Sequence, residues 1–202
     1  MWPEPARLVL VRHGESHGNH QNIFTGWRDL DLTARGKGEA WAVGTRLAAT
    51  GIVFGAAFTS ALKRARDSAS IILERLGQDV KIYSSAALNE RNYGELTGLD
   101  KAEAATRFGA EQVRLWRRSF ERRPPGGESL KDTVDRVVPF YCAQILPHLG
   151  AGESTLIVAH GNSLRALVMN IEHLSPSKIE KLEFRTGEIR IYPRQSGHAT
   201  LE

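Results

Sequence analysis

The stretch RLVLVRHG, residues 7–14, is a short apolar run that ends in a histidine and a glycine. An uninterrupted apolar run of this length, bounded by arginines, is typical of a parallel strand that is buried on both faces. The stretch TLIVAHGN, residues 155–162, has the same form: an apolar run that is followed by a histidine and a glycine. Helical patterns alternate with these runs, which indicates an α/β fold with a mostly parallel sheet.

The rest of the chain fits a three-layer α/β/α sandwich around that sheet. Further strands are predicted at residues 56–60, 80–83 and 188–192. Helices are predicted at residues 32–47, 61–76, 101–108, 110–120, from 129 towards 148, and at 162–172. Thr33 has the character of an N-cap, Gly77 that of a helix-ending residue, and Ser129 with Asp132 resembles a capping box.

Residues 1–202 are predicted to form one domain, because this length suits a single hydrophobic core. The segment at about residues 88–127 has little strand character, and it is predicted to form a helical, cap-like insertion over the sheet edge. Residues from about 193 to 202 are predicted to be a flexible C-terminal tail.

The net charge of +4 points to an acidic partner, which could be nucleic acid, a membrane surface or a small anionic substrate. The basic residues are spread along the chain, with one cluster of arginines between residues 114 and 123. Nucleic-acid binders usually carry longer basic stripes interleaved with stacking aromatic side chains. We therefore expect a small anionic substrate and no nucleic-acid or membrane partner.

The single cysteine, Cys142, cannot form an internal disulfide, and its apolar neighbours predict a buried core thiol. Residues 1–6 lack the basic and apolar regions of a signal peptide, and no apolar run approaches the roughly 20 residues of a membrane span. These features predict a cytoplasmic protein.

Two histidines, His13 and His160, follow the two apolar strands directly. Ligands of open α/β sheets bind outside the carboxyl ends of the strands, so both imidazoles could face one ligand. A glycine after each histidine lets the backbone approach that ligand, and the helix beginning near Asn162 offers free N–H groups to an anion. The simpler alternative is that each histidine only bonds a backbone carbonyl at its strand end.

A neutral imidazole can act as a nucleophile for a phosphoryl group. Arg12, next to His13, and Arg64, early in the second helix, could supply the cationic forks that match phosphate oxygens. A metal site is not expected, because the sequence contains neither His-x-x-x-His nor His-Glu-x-x-His.

The stretch LVRHGES, residues 10–16, resembles the signature of the histidine phosphatase superfamily. Further motifs resemble the cofactor-dependent phosphoglycerate mutases within it: FTGW at 24–27, TSALKRA at 59–65, LNER at 88–91, YG at 93–94, LTGL at 96–99, WRRS at 116–119, GESLKD at 127–132 and VAHGNS at 158–163. The resemblance covers about residues 7–192. The chain departs from the usual pattern at Gly18 and Asn92, and it has a short loop at 122–127 and a short tail.

The resemblance implies that His13 is the phosphorylated nucleophile and that Glu90 exchanges a proton with the substrate hydroxyl. It also implies that Arg12, Arg64 and His160 hold the transferring phosphoryl group. The substrate-binding residues that it implies are Arg12, Ser16, Asn19, Thr25, Gly26, Arg64, Glu90, Arg91, Asn92, Tyr93, Lys101, Arg117, Arg118, Gly161 and Asn162.

The reaction implied by the resemblance interconverts 3-phosphoglycerate and 2-phosphoglycerate, with 2,3-bisphosphoglycerate as the priming phosphate donor and no metal. A homodimer is one assembly that it allows. Two alternatives stay open: a phosphatase of the same superfamily that acts on small phosphate monoesters, and a non-enzymatic anion-binding module. The module would not need a nucleophile or a proton shuttle, so His13, Glu90 and His160 together argue against it.

Overall fold

The protein is described by a computed structural model that covers residues 6–193. Within these residues, five strands form one sheet in the order β3-β2-β4-β1-β5. The strands are β1 Arg7–Arg12, β2 Phe54–Ser60, β3 Ile82–Ser85, β4 Ser154–Ala159 and β5 Ile189–Pro193. Only β5 runs antiparallel to its neighbour, so the prediction of a mostly parallel sheet is confirmed.

Helices connect the strands and cover the sheet. They are α1 His17–His20, α2 Ala34–Ala48, α3 Lys63–Leu76, α4 Lys101–Phe108, α5 Ala110–Arg118, α6 Leu130–Phe140, α7 Leu146–Gly150, α8 Gly161–Ile171 and α9 Pro176–Ile179. Short 3₁₀ turns lie at Ala86–Leu88 and Gly94–Leu96. The sequence had not predicted α1, α9 or these turns, because segments this short leave no clear periodicity.

Local capping chemistry sets several helix ends where the sequence predicts them. The Thr33 side chain accepts from the Gly36 N–H at 3.0 Å at the start of α2. Gly77 ends α3 with φ of 64°, a left-handed conformation that favours glycine. At α6, the Asp132 carboxylate accepts from the Ser129 N–H at 2.8 Å, and the Ser129 hydroxyl accepts from the Asp132 N–H at 3.1 Å. The three capping predictions are thus confirmed.

The strands bury alternate residues on the two faces of the sheet, as a period of two requires. Leu8 and Leu10 of β1 join the core beneath α6 and α8, whereas Val9 and Val11 join the core beneath α2 and α3. The sheet is therefore covered on both faces, which gives the predicted three layers.

The segment predicted as a cap contributes most of a third, smaller apolar cluster. Leu96, Ala104 and Val113 bury their side chains there together with Phe24 from the loop after β1. Helices α4 and α5 therefore pack around an apolar cluster of their own, separate from the two clusters on the faces of the sheet.

The prediction of a buried thiol at Cys142 is wrong, because this cysteine is exposed. Pro139 lies inside α6, and the chain continues through a wider π-helical turn at Tyr141–Ile145. Tyr141 and Ile145 are four residues apart and point into the core, which places Cys142 on the opposite, solvent-facing side.

Two further predictions concern the C-terminal tail and membrane-spanning segments. The predicted tail lies outside the described residues, apart from Pro193, which is the last residue of β5. Within residues 6–193, no helix combines the length and the apolar character needed to span a membrane.

Candidate active site

His13 and His160 lie side by side because β1 and β4 are adjacent, parallel and in register. Arg12 pairs with Ala159 in the sheet, so the next residue of each strand is a histidine at the same edge. The backbone N–H of His13 donates to the Ala159 carbonyl at 3.0 Å. The two imidazole rings are 4.9 Å apart between centroids, and both are buried.

The His13 imidazole is fixed in one tautomer by the backbone. Its Nδ1 is 2.7 Å from the Gly14 carbonyl oxygen, which can only accept, so Nδ1 carries the proton. Burial, together with the nearby charges of Arg64 and Arg12, holds the pKa of His13 well below its usual value. The ring is therefore neutral near pH 7, with the Nε2 lone pair free to attack a phosphorus atom.

The His160 imidazole packs edge-on against that of His13 and is also neutral. Its Nε2 is 2.7 Å from the Ser60 hydroxyl at the end of β2. Burial, and then the charge of Arg64, lowers the pKa of His160 well below the usual value. Three neighbouring strands, β1, β2 and β4, thus converge on one pair of rings.

Two arginines place positive charge beside His13. The Arg64 guanidinium donates to the carbonyls of Arg28 and Gly26 at 2.8 and 2.9 Å, which fixes its plane. Burial lowers the pKa of Arg64 to about 10, so it still carries its charge at neutral pH. The buried Arg12 Nε has no hydrogen-bond partner within the described chain, and such a donor is suited to a bound anion.

An inner cavity opens over His13. Its walls are Arg12, His13, Asn19, Ile23, Phe24, Thr25, Gly26, Arg64, Glu90, Tyr93 and Lys101. Most of the residues implied for phosphate binding therefore meet in one place. Ser16 does not line this cavity; its hydroxyl accepts from the Asn19 N–H at 3.3 Å and caps α1.

A larger outer cavity continues from the inner one. Its walls are Arg12, Glu90, Tyr93, Lys101, Arg117, Arg118, Gly161, Asn162, Arg165, Leu182, Glu183 and Phe184. Cations outnumber carboxylates in this wall, which favours an anionic ligand. Burial, with Arg117 and Arg12 nearby, lowers the pKa of Lys101, as expected for crowded positive charges.

Arg91 and Asn92 support the cavities instead of lining them. The buried Arg91 guanidinium donates to the Arg117 carbonyl at 3.0 Å and stacks over the Tyr93 ring at 4.9 Å. The Asn92 side-chain oxygen accepts from the Gly94 N–H at 2.9 Å. Both side chains therefore shape the loop that presents Tyr93.

Glu90 stands where the two cavities meet. Its Oε1 accepts from the backbone N–H groups of Arg91 and Asn162 at 2.7 and 3.1 Å, the second at the N-terminus of α8. The other oxygen, Oε2, lies beside Gly161 at the start of α8, where a Cβ atom would stand at an ordinary van der Waals distance of 3.7 Å. A carboxylate held in this way can exchange a proton with a ligand hydroxyl.

Arg136 of α6 holds the loop that carries Glu90, and the sequence analysis did not find it. Its guanidinium donates to the carbonyls of Ala87, Asn89 and Glu90 at 2.8 to 3.0 Å. It also pairs with Glu128 at 2.9 Å. Arg136 lies more than 40 residues from that loop, and no motif connects the two.

Arg165 is a second residue that the sequence analysis missed. From α8 it donates to the Asn162 side-chain oxygen at 2.9 Å and to the Ile179 carbonyl at 2.6 Å. Burial, and then the charge of Arg91, lowers the pKa of Arg165 to about 10. Its spacing of three residues from Asn162, one helical turn, is the signal that could have revealed it.

Within residues 6–193, no group of three or more histidine, cysteine, aspartate or glutamate side chains is arranged to hold a metal ion. What the site brings together is a neutral imidazole with a free nitrogen, arginines for phosphate oxygens, and a carboxylate for a proton. This combination suits phosphoryl transfer, in which positioning and charge stabilisation supply most of the rate.

Two proteins with similar sequences share one name. A protein of Afipia carboxidovorans named 2,3-bisphosphoglycerate-dependent phosphoglycerate mutase is 54% identical over 96% of this chain and 94% of its own length. A protein of Beijerinckia indica with the same name is also 54% identical, again over 96% and 94% of the two chains.

Solved structures show the same fold at lower identity. The mycobacterial glucosyl-3-phosphoglycerate phosphatase in complex with VO3 is 26% identical, with a TM-score of 0.78 over 92% of each chain. The sequence itself matches the histidine phosphatase superfamily (branch 1) over residues 8–202. On this match, and on the 54% identity to the Afipia carboxidovorans protein, the chain belongs to branch 1 of the histidine phosphatase superfamily.

Proposed function

We propose that this protein is a phosphoglycerate mutase, which interconverts 3-phosphoglycerate and 2-phosphoglycerate through a phosphoryl group carried on His13. The observation that carries the proposal is the pair of cationic cavities that share Arg12, Glu90, Tyr93 and Lys101. A mutase has to bind one phosphate beside its nucleophile and the remaining anionic groups of the same ligand nearby. The similarity to full-length relatives named as mutases supports the same conclusion.

In the proposed first step, phosphorylated His13 transfers its phosphoryl group to the free hydroxyl of 3-phosphoglycerate. The N–P bond breaks, an O–P bond forms, and Glu90 accepts the hydroxyl proton. Arg12 and Arg64 neutralise the phosphoryl oxygens during the transfer. His13 returns to the neutral imidazole that its burial favours.

In the proposed second step, the bisphosphorylated ligand is turned so that its other phosphate faces Nε2 of His13. His13 attacks this phosphorus atom, and Glu90 returns the proton to the departing oxygen, which leaves 2-phosphoglycerate. The charges of Arg117, Arg118 and Lys101 hold the outer end of the ligand in both orientations, since a carboxylate and a phosphate are both anions. The same attack on added 2,3-bisphosphoglycerate primes the unphosphorylated protein.

The position of the ring nitrogen supports this assignment. His13 Nε2 is the only nitrogen of that ring left without its proton, because Nδ1 donates to Gly14. A protein that merely bound anions would have no use for a neutral nucleophile among arginines. The hydrogen bond from His13 to a backbone carbonyl, which the simpler alternative took as the whole role of this histidine, is therefore also what keeps Nε2 free to act as the nucleophile.

A coupled assay tests the proposal against the phosphatase alternative. Conversion of 3-phosphoglycerate is followed through 2-phosphoglycerate formation, with and without 2,3-bisphosphoglycerate, beside a measurement of released phosphate. We expect isomerisation that requires priming and greatly exceeds phosphate release. Phosphate release that outpaces isomerisation would instead identify a phosphatase.

A further inference from the structure

Glu183 is, with Glu90, one of two carboxylates in the wall of an outer cavity that five cationic side chains also line. It lies in the irregular segment between α9 and β5, and it lines the outer cavity together with Arg117 and Arg118. Its carboxylate forms an ion pair with the Arg118 guanidinium. Arg118 is one of the cations expected to hold the ligand, so its charge is already partly compensated before a ligand arrives.

A second contact joins the two segments that carry this pair. Glu180, one residue beyond α9, accepts from the Phe120 N–H at 2.8 Å. This bond joins the segment that carries Glu183 to the chain that follows Arg118, so the two members of the ion pair are held near each other.

The Glu183 side chain is nevertheless free to leave. It is 63% exposed, whereas that of Arg118 is 36% exposed. Nearby cations, Arg118 first and Arg117 and Arg165 after it, lower the pKa of Glu183, so it is a full negative charge at neutral pH. An exposed ion pair contributes little stability, and a ligand anion can replace it at small cost.

We propose that Glu183 is an internal competitor for Arg118, which weakens the binding of the ligand's anionic end and is displaced when the ligand binds. This inference rests on the proposed function, because it takes 3-phosphoglycerate as the ligand. Its physical basis is direct: two anions cannot both pair fully with one guanidinium, and like charges in one cavity repel. Glu183 thereby limits how tightly the outer cavity holds its ligand, which favours release and reorientation over retention.

Calorimetric titration of 3-phosphoglycerate into the unphosphorylated protein tests this inference. The informative variant is Glu183→Gln, which removes the charge and keeps the size of the side chain. Glu111→Gln is the matched control: it removes the same charge from another exposed ion pair on α5, with Arg114, and neither residue lines the outer cavity. Each protein is titrated at low and at high salt.

We expect Glu183→Gln to bind 3-phosphoglycerate about three- to tenfold more tightly than the wild type at low salt, with a smaller difference at high salt. Glu111→Gln should stay within about twofold of the wild type. Equal or weaker binding by Glu183→Gln would overturn the inference, and so would an equal gain in both variants. Failure of the wild type itself to bind would contradict the proposed function and this inference with it.

Discussion

His13 and Glu90 are held by backbone groups, and not by charged side chains. The Gly14 carbonyl fixes the His13 ring, and two backbone N–H groups fix one oxygen of Glu90. Backbone groups at strand ends and helix N-termini move little, so both reactive atoms are placed before a ligand arrives. The same contacts leave one nitrogen and one oxygen open for chemistry.

Replacing Glu90 tests its part in proton transfer. Glu90→Gln keeps an oxygen that can accept from the Arg91 and Asn162 N–H groups, but it cannot take a proton. We expect kcat for isomerisation to fall by about 10²- to 10⁴-fold with little change in KM, as measured in the coupled assay. Glu95→Gln, at an exposed glutamate in the next turn, should behave as the wild type. An active Glu90→Gln enzyme would remove Glu90 from the mechanism.

At the level of elements, the loop after β1 is pressed against the start of α2. A Cβ atom at Gly14 would lie 2.0 Å from the Gly36 carbonyl oxygen, and one at Gly36 would lie 1.9 Å from the Glu15 carbonyl oxygen. Both distances are far shorter than a carbon–oxygen contact allows, so the two backbone segments can approach this closely only because both residues are glycines. This backbone contact fixes the position of Gly14, and therefore of the adjacent His13 and of the loop that follows β1.

Two alanine substitutions of glycine should therefore act in opposite directions. Gly14→Ala forces backbone apart, and we expect a loss of about 1–3 kcal/mol in the free energy of unfolding, together with lower activity. Gly38→Ala adds a methyl group to an exposed position inside α2 where nothing lies within 4 Å. It should raise the free energy of unfolding by about 0.5–1 kcal/mol. Urea denaturation measures both, and a destabilised Gly38→Ala with a neutral Gly14→Ala would refute this account of the contact.

The sequence predicts the elements well where their own residues determine them. The strands β1 and β4 are continuous apolar runs, and α2 and α6 begin with side-chain caps, so their positions follow from local chemistry. The prediction begins β3 at residue 80, whereas it begins at Ile82, and it ends α5 at residue 120, whereas it ends at Arg118. In both places the boundary depends on packing against other elements, which a local pattern does not encode.

At the scale of the whole molecule, two neutral imidazoles are buried side by side. Their pKa values are held well below the usual value by burial, whereas in the unfolded chain they return to about 6.5. Below that pH the unfolded chain takes up protons that the folded protein does not, so stability falls as the pH falls. Above it both states are neutral, and the two histidines add no pH dependence.

The pH dependence of unfolding measures this effect. Between about pH 6 and pH 5, each buried neutral histidine should cost up to about 1.4 kcal/mol per pH unit in the free energy of unfolding. His13→Asn should therefore show a shallower slope than the wild type, and His17→Asn, which removes an exposed histidine, should keep the wild-type slope. Parallel slopes for His13→Asn and the wild type would show that His13 is not buried in the neutral form.

The candidate site was only partly predictable for a reason that also lies at this scale. The sequence identifies His13 and His160 because each follows an apolar strand and precedes a glycine. The resemblance adds Glu90 and the pair Arg117 and Arg118. Glu183 and Arg136 could not be found in this way, because each acts on residues far away in the chain that only the folded molecule brings near. The resemblance also implies that Ser16 contacts the ligand, which stays a prediction; the cap that its side chain forms on α1 was not foreseen from the sequence.

The central claim is that His13 carries the phosphoryl group, and trapping the phosphorylated protein tests it most directly. The protein is mixed with 2,3-bisphosphoglycerate labelled in its phosphates, quenched, and analysed by mass for an acid-labile phosphate on each histidine. We predict one phosphate on His13 in the wild type, none in His13→Ala, and no isomerase activity in that variant. A phosphorylated or active His13→Ala protein would contradict the account.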